Sequence, residues 1–130
     1  MEHIGNLQIG YFFKKNGVLM RLTSDDLSFI YKCKNPYEIY SPVLLTDKVL
    51  RHMRFHYNDQ FGFDNSYYKL IFQYSKIILR YNDLTQSYYC SNNPFRPSLK
   101  YVHELQNFLD TKYNITILKV DLFAFNQAVD

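Results

Sequence analysis

The sequence contains no tryptophan, two cysteines, and only four glycines and four prolines in 130 residues. So few flexible or breaking residues exclude a low-complexity chain, and 47% apolar against 21% charged residues excludes a disordered one. Cys33 and Cys90 are far apart and belong to no closely spaced pair, which argues against a zinc site or a disulfide framework. A chain of this length buries roughly two-thirds of its unfolded surface, so no staple is required. Apolar runs are short: stretches such as Ile77 to Leu79 fall far below the roughly 20 residues of a membrane span. The opening MEHIGNLQIG has no basic segment followed by an apolar run, so the expectation is a cytoplasmic protein with reduced thiols and no membrane partner. Charge of one sign is also scarce. Fifteen basic and 12 acidic side chains give +3, a balance that neither demands nor forbids a nucleic-acid partner.

Aromatic residues are abundant instead, with 13 Tyr and 11 Phe. A domain this small does not bury every phenol, and half-exposed tyrosines suit contact surfaces. The plainer source is an AT-rich coding sequence, which raises Asn, Lys, Ile, Tyr and Phe together.

The chain reads as a single α+β domain over residues 1–118, followed by a tail, 119–130, whose order the pattern leaves open. Leu7, Ile9, Tyr11 and Phe13 alternate as a strand, and Lys14 to Gly17 forms a hairpin turn into Val18, Met20 and Leu22. Thr23 to Asp26 reads as the next turn and Leu27 to Lys32 as a third strand, together a small antiparallel meander or SH3-like barrel. Tyr37 to Tyr40 reads as an edge strand. Thr46 is the expected N-cap of a short helix ending near Phe55, with Val49, Leu50 and Met53 buried. Asn58 to Gly62 reads as a loop. Tyr67 to Phe72 and Ile77 to Tyr81 make a hairpin about Tyr74 and Ser75, extended by Ser87 to Cys90. Ser98 is expected to cap an amphipathic helix with Leu99, Val102, Leu105 and Leu109 inside, and Ile115 to Leu118 to form a closing strand.

Three segments, LQIGYFF, PVLLTDKVLRHMRF and LKYVHELQNFLDTKYNITI, resemble small proteins of unknown function encoded in prophages and conjugative elements of Bacteroidota. In that family an LRIGNYV-like strand, a PIPLTEEWLLKFGF-like helix and a KYVHQLQNLYFALTGEEL-like helix recur in this order. About half the chain is covered, most specifically Lys100 to Asn107. Two departures stand out: the helix after the capping threonine is basic here, and Thr111 to Ile115 replaces the family's TGEEL turn. The resemblance implies fold and a mobile-element origin. Proteins from such neighbourhoods are often host-defence inhibitors, anti-CRISPR proteins among them.

The chemistry-bearing motifs are incomplete. His103-Glu104 starts like a zinc-protease helix, but the second histidine is replaced by Asn107, so hydrogen bonding to neighbouring strands is the better reading. His52 and His56 have i, i+4 spacing with Asp59 nearby, a pattern that solvated histidines also produce. Cys33 lies between Lys32 and Lys34, which would lower the pKa of an exposed thiol, though a strand cysteine is commonly core. Gly5, Gly10, Gly17 and Gly62 are too scattered for a phosphate loop, and no GxSxG elbow occurs. The reading is therefore not an enzyme: no catalytic residue, no metal, no cofactor and no small-molecule substrate.

The positive feature is Lys48, Arg51 and Arg54 at spacing three, suited to a phosphate backbone or an acidic protein surface. Arg21, Lys14 and Lys15 extend it. Tyr88 and Tyr89, with Tyr67-Tyr68 and the loop Asn92 to Pro97, form a second candidate surface, since only one of two adjacent strand residues faces a core. The plainer alternatives are a solvated helix face and rings covered by another segment. The functional expectation is a non-enzymatic mobile-element protein that inhibits a host defence effector, an RNA-guided nuclease above all, by binding the effector or its guide RNA. The alternative is an accessory protein that binds RNA or DNA directly, and a homodimer is compatible with either.

Overall fold

The computed structural model describes residues 7–57, 68–72 and 75–115. The architecture is α+β, as expected. β1 (Phe12–Lys15), β2 (Val18–Arg21) and β3 (Tyr40–Pro42) form an antiparallel sheet in the order β2-β1-β3. A second antiparallel sheet holds β4 (His56–Tyr57), β5 (Tyr68–Phe72), β6 (Ser75–Asn82), β7 (Ser87–Cys90) and β8 (Ser98–Leu99) in sequence order. The helices are α1 (Ser24–Lys32), α2 (Asp47–His52) and α3 (Val102–Tyr113).

The first hairpin turns on Asn16 and Gly17 at φ 52° and 80°, the paired left-handed geometry of a two-residue loop that suits right-twisted strands. Along β1 the side chains alternate between two cores. Phe12 enters the larger one with Val43, Val49, Leu50, Met53, Leu79, Tyr88 and Leu105. Phe13 enters a smaller one with Leu7, Tyr11, Leu22, Ile30 and Tyr40. Ile9, expected on the same inner face, stays 65% exposed because residues 7–11 precede the strand and do not follow its alternation.

Residues 27–32 are helical rather than a third strand. Thr23 and Asp26 form a reciprocal capping box: the Thr23 hydroxyl accepts from the Asp26 amide at 3.2 Å, and the Asp26 carboxylate accepts from the Thr23 amide at 2.9 Å. That box starts a helix whose buried positions are Asp26 and Ile30, while Phe29 and Tyr31, which mimic strand alternation, point outward. Pro36–Glu38 is a 3-10 turn where an edge strand was expected, and the strand begins only at Tyr40.

Ser98 does not cap α3. Ser98 and Leu99 are extended and pair with Tyr89 and Tyr88, so the helix starts three residues later. Its start is set by Glu104, which accepts from the amides of Lys100 and Tyr101 at 3.0 and 2.9 Å. The expected loop at 58–62, the turn residue Tyr74, the strand end at 116–118 and the tail at 119–130 lie outside the described residues.

The smaller core is organised by Asp26. Its carboxylate accepts from the Tyr40 hydroxyl at 2.6 Å, the Thr23 hydroxyl at 2.8 Å and Lys15 at 3.3 Å, in addition to the Thr23 amide. Burial alone would raise this carboxyl, but the donors outweigh it and hold it near about 2. A carboxyl depressed in the folded state stabilises above its unfolded value and stops doing so as pH falls. Wild-type stability should therefore drop between pH about 4 and about 2 more steeply than that of Asp26→Asn. At neutral pH Asp26→Asn should cost about 2 kcal/mol, as the cap and one charge-assisted bond are lost. Urea midpoints measured against pH check both.

Tyr11 is the opposite case. Its hydroxyl is enclosed. Burial, then the charge of Asp110 and hydrogen bonding to it, push it to about 12. Tyr11→Phe should change stability by no more than about 1 kcal/mol, because the enclosed hydroxyl that is removed has one poorly aligned partner. A urea titration at neutral pH reads the difference.

Candidate functional site

α2 is only Asp47–His52, shorter than expected, but its start is as expected: the Thr46 hydroxyl accepts from the Val49 amide at 3.2 Å. Val49, Leu50 and Met53 have no exposed surface, so the helix is seated on the larger core and Lys48 and Arg51 are left facing water. Arg54 is not on the helix. It follows the C-cap Met53 at φ 69°, with its amide donating to Arg51 O and the Phe55 amide donating to Leu50 O at 3.0 Å. This is a Schellman termination with arginine in the left-handed position usually given to glycine, and buried Phe55 and Leu50 form its apolar contact.

Lys48, Arg51 and Arg54 are thus all exposed, and none makes an ion pair among the described residues. Asp47, one turn from Arg51, instead accepts from the Tyr88 hydroxyl at 2.8 Å. His52 is exposed on α2 but His56 belongs to β4, so their helical spacing is not realised, and Asp59 lies outside the described residues. No group of three His, Cys, Asp or Glu side chains that could hold a metal ion occurs among the described residues.

The outlying basic residues Lys14, Lys15 and Arg21 sit on the first hairpin. Lys15 is ion-paired to Asp26 at 3.3 Å and lies 5.6 Å from the centre of the Tyr40 ring. Arg21 is half-buried, its guanidinium 5.4 Å from the centre of the Phe12 ring. Lys14 is half-buried on β1. Lys15 is therefore held by the Asp26 carboxylate and the Tyr40 ring, and Arg21 lies over Phe12.

Tyr88 must be corrected as a contact residue. It is 2% exposed, packs edge-on against Tyr81 at 5.0 Å and donates its hydroxyl to Asp47, because β7 turns it into the larger core with Cys90. Tyr89 takes the opposite face, as alternation requires. There it lines an open groove of about 610 Å³ with Tyr81, Asn82, Asp83, Leu84, Thr85, Ser87, Ser98 and Arg96. Arg96 belongs to the loop that sequence reasoning placed beside Tyr89. The side chains of Tyr67 and Tyr68 lie outside the described residues.

For His103, where hydrogen bonding to neighbouring strands was expected, the structure shows ring packing. It is buried on α3 between Phe13, 4.7 Å away, and Tyr101, stacked at 6.0 Å. Cys33 is a half-buried helix C-cap, and Cys90 is buried with its thiol 3.2 Å from Asn92 Oδ1.

Comparison with protein-family models, curated proteins and solved structures finds no match to this chain.

The left-handed arginine gives a separable prediction. Arg54→Gly should stabilise by about 0.5 to 1 kcal/mol by relieving the side-chain clash, whereas Arg54→Ala should not, since alanine keeps the Cβ. Thermal midpoints of the two variants decide it; a gain in both would mean the benefit comes from removing charge.

Proposed function

We propose that this protein is a non-enzymatic, cytoplasmic inhibitor of a host RNA-guided nuclease, made by a mobile element and acting by occlusion. The observation that carries the reading is the exposed trio Lys48, Arg51 and Arg54, held on a buried helix and its rigid C-terminal turn without carboxylate partners among the described residues. Cations left in this state retain their full capacity for phosphate or for an acidic protein surface. The resemblance of the three quoted segments to mobile-element proteins supplies the biological setting. Three other titratable groups have structural work: Asp26 caps α1, His103 packs between two rings, and Asp47 accepts from Tyr88.

Recognition of a ribonucleoprotein differs from binding to nucleic acid in general. Purified nuclease loaded with guide RNA should bind the protein and lose cleavage activity, while free guide RNA should bind much more weakly. Combining Lys48→Glu, Arg51→Glu and Arg54→Gly should weaken binding at least about tenfold, three charge contacts each contributing a fraction of that loss. Circular dichroism and thermal melting of the variant control for folding. Undiminished inhibition by the triple variant would remove the cationic trio from the mechanism. Equal affinity for free RNA, falling with salt at about 0.7 decades per contacted phosphate for each decade of salt, would favour the accessory nucleic-acid-binding protein.

A further inference from the structure

The groove beside the β6–β7 turn carries a different chemistry from the cationic trio. Tyr89 contributes a half-buried ring, and Asn82, Asp83, Thr85, Ser87, Ser98 and Arg96 supply planar polar groups and hydroxyls; Tyr81 also lines the groove, with its own ring packed against Tyr88. Among the lining residues there is one cation and one anion, so the groove has no net formal charge. That balance suits a polyphosphate poorly. An exposed carboxylate repels it, and a single guanidinium barely compensates.

The hydroxyls are ordered in a row. Thr85 Oγ1 lies 2.7 Å from Ser87 Oγ, which lies 2.8 Å from Ser98 Oγ. Three hydroxyls bring three protons to two bonds, so one proton of the row remains for a further partner. Both end residues are exposed, whereas Ser87 between them is 4% exposed.

Arg96 is held in place from behind. It sits at φ 41°, a left-handed conformation that disfavours any side chain, yet its loop is clamped on two sides. Asn92 accepts from the Ile78 amide at 3.1 Å and donates to Lys76 O at 2.6 Å, and Asn93 donates to the Tyr113 hydroxyl at 3.3 Å. Arg96 is exposed and makes no ion pair with Asp83 or any other described carboxylate. A guanidinium on a clamped backbone and an exposed carboxylate on one groove, beside an aromatic ring and a row of hydroxyls, match the alternating donors and acceptors and the apolar C–H faces of a sugar ring.

We propose that this groove binds a neutral saccharide unit, with Tyr89 as the platform, Asp83 accepting from ring hydroxyls and Arg96 donating to them. The site is independent of the cationic trio. Amide-resolved NMR titration of the full chain with maltose, lactose and N-acetylglucosamine tests it. The expected result is shifts concentrated at Tyr81, Ser87, Tyr89 and Ser98 with at least one of the three, unchanged by added salt and retained when Lys48 and Arg51 are reversed to Glu. Tyr89→Ala and Arg96→Gly should each weaken binding about tenfold or more, the loss of one stacked or charge-assisted contact. Arg96→Gly also relieves backbone strain, so its thermal midpoint should stay level or rise, separating lost recognition from lost folding. The proposal is overturned if none of the three sugars shifts these residues, or if shifts survive both substitutions. It is equally overturned if the same residues answer only to an RNA oligonucleotide with salt-dependent affinity.

Discussion

The short run from Ser98 to Val102 holds the two sheets in one framework. Ser98 and Leu99 complete the five-stranded sheet by pairing with β7. Two residues later the chain serves the other sheet: Leu45 donates to Lys100 O at 2.9 Å, Val102 donates to Val43 O at 2.8 Å, and Leu44 bridges Tyr101. The segment 43–45 directly follows β3, which stops pairing with β1 at Pro42. One extended stretch therefore pairs with β7 and then with the segment that leaves β3 before it coils into α3. Losing it would leave buried amides of both without partners, which is far more costly than losing a surface contact.

α3 extends that role through two distinct faces. Val102, Leu105, Phe108 and Leu109 enter the larger core with α2 and the five-stranded sheet. His103 and Gln106, buried on an adjoining face, meet the first sheet. Phe12 lies one residue beyond the last β1–β3 pair, so its amide has no strand partner there, and Gln106 Oε1 accepts it at 2.9 Å. A polar seam of this kind contributes less free energy than an apolar one, but it fixes which residue of β1 meets which turn of α3. The smaller core is steadied in the same way by Asp26, whose four donors come from β1, the cap of α1 and β3.

What the sequence revealed depended on how local the determining contact was. Thr46 and the apolar trio of α2 were legible because a cap and its helix lie within one turn of each other. The β5–β6–β7 order was legible from apolar runs separated by turn residues, and Tyr88 and Tyr89 had to take opposite faces by strand geometry alone. Which of the two faced inward was not legible, since that depends on Asp47 and Tyr81 waiting on the inner side. The capping box of Thr23 and Asp26 was present in the sequence, but the alternation of Leu27, Phe29 and Tyr31 outweighed it, and exposed aromatics produced that false period. Ser98 carried a good cap signal, overridden by its pairing across β7. The groove had no signal of its own, because its lining converges from the β6–β7 turn and from the loop before β8 only once those strands pair.

The two exposed arginines in left-handed backbone link the fold to its surface chemistry. Asn16 and Asn114 adopt the same region at little cost, since a short amide side chain tolerates it. Arg54 and Arg96 do not share that tolerance, and each conformation persists because the surroundings determine it: helix-terminating bonds around Arg54, paired asparagine clamps around Arg96. The backbone under each is therefore fixed before any partner arrives, and less ordering is left to be done on contact. A long flexible cation on a mobile loop loses much of its binding energy to that ordering; on a clamped turn it loses only its own side-chain freedom. Arg54 on the turn after α2 and Arg96 beside Tyr89 on the groove are thus exposed side chains whose backbone strain is borne by the structure beneath them.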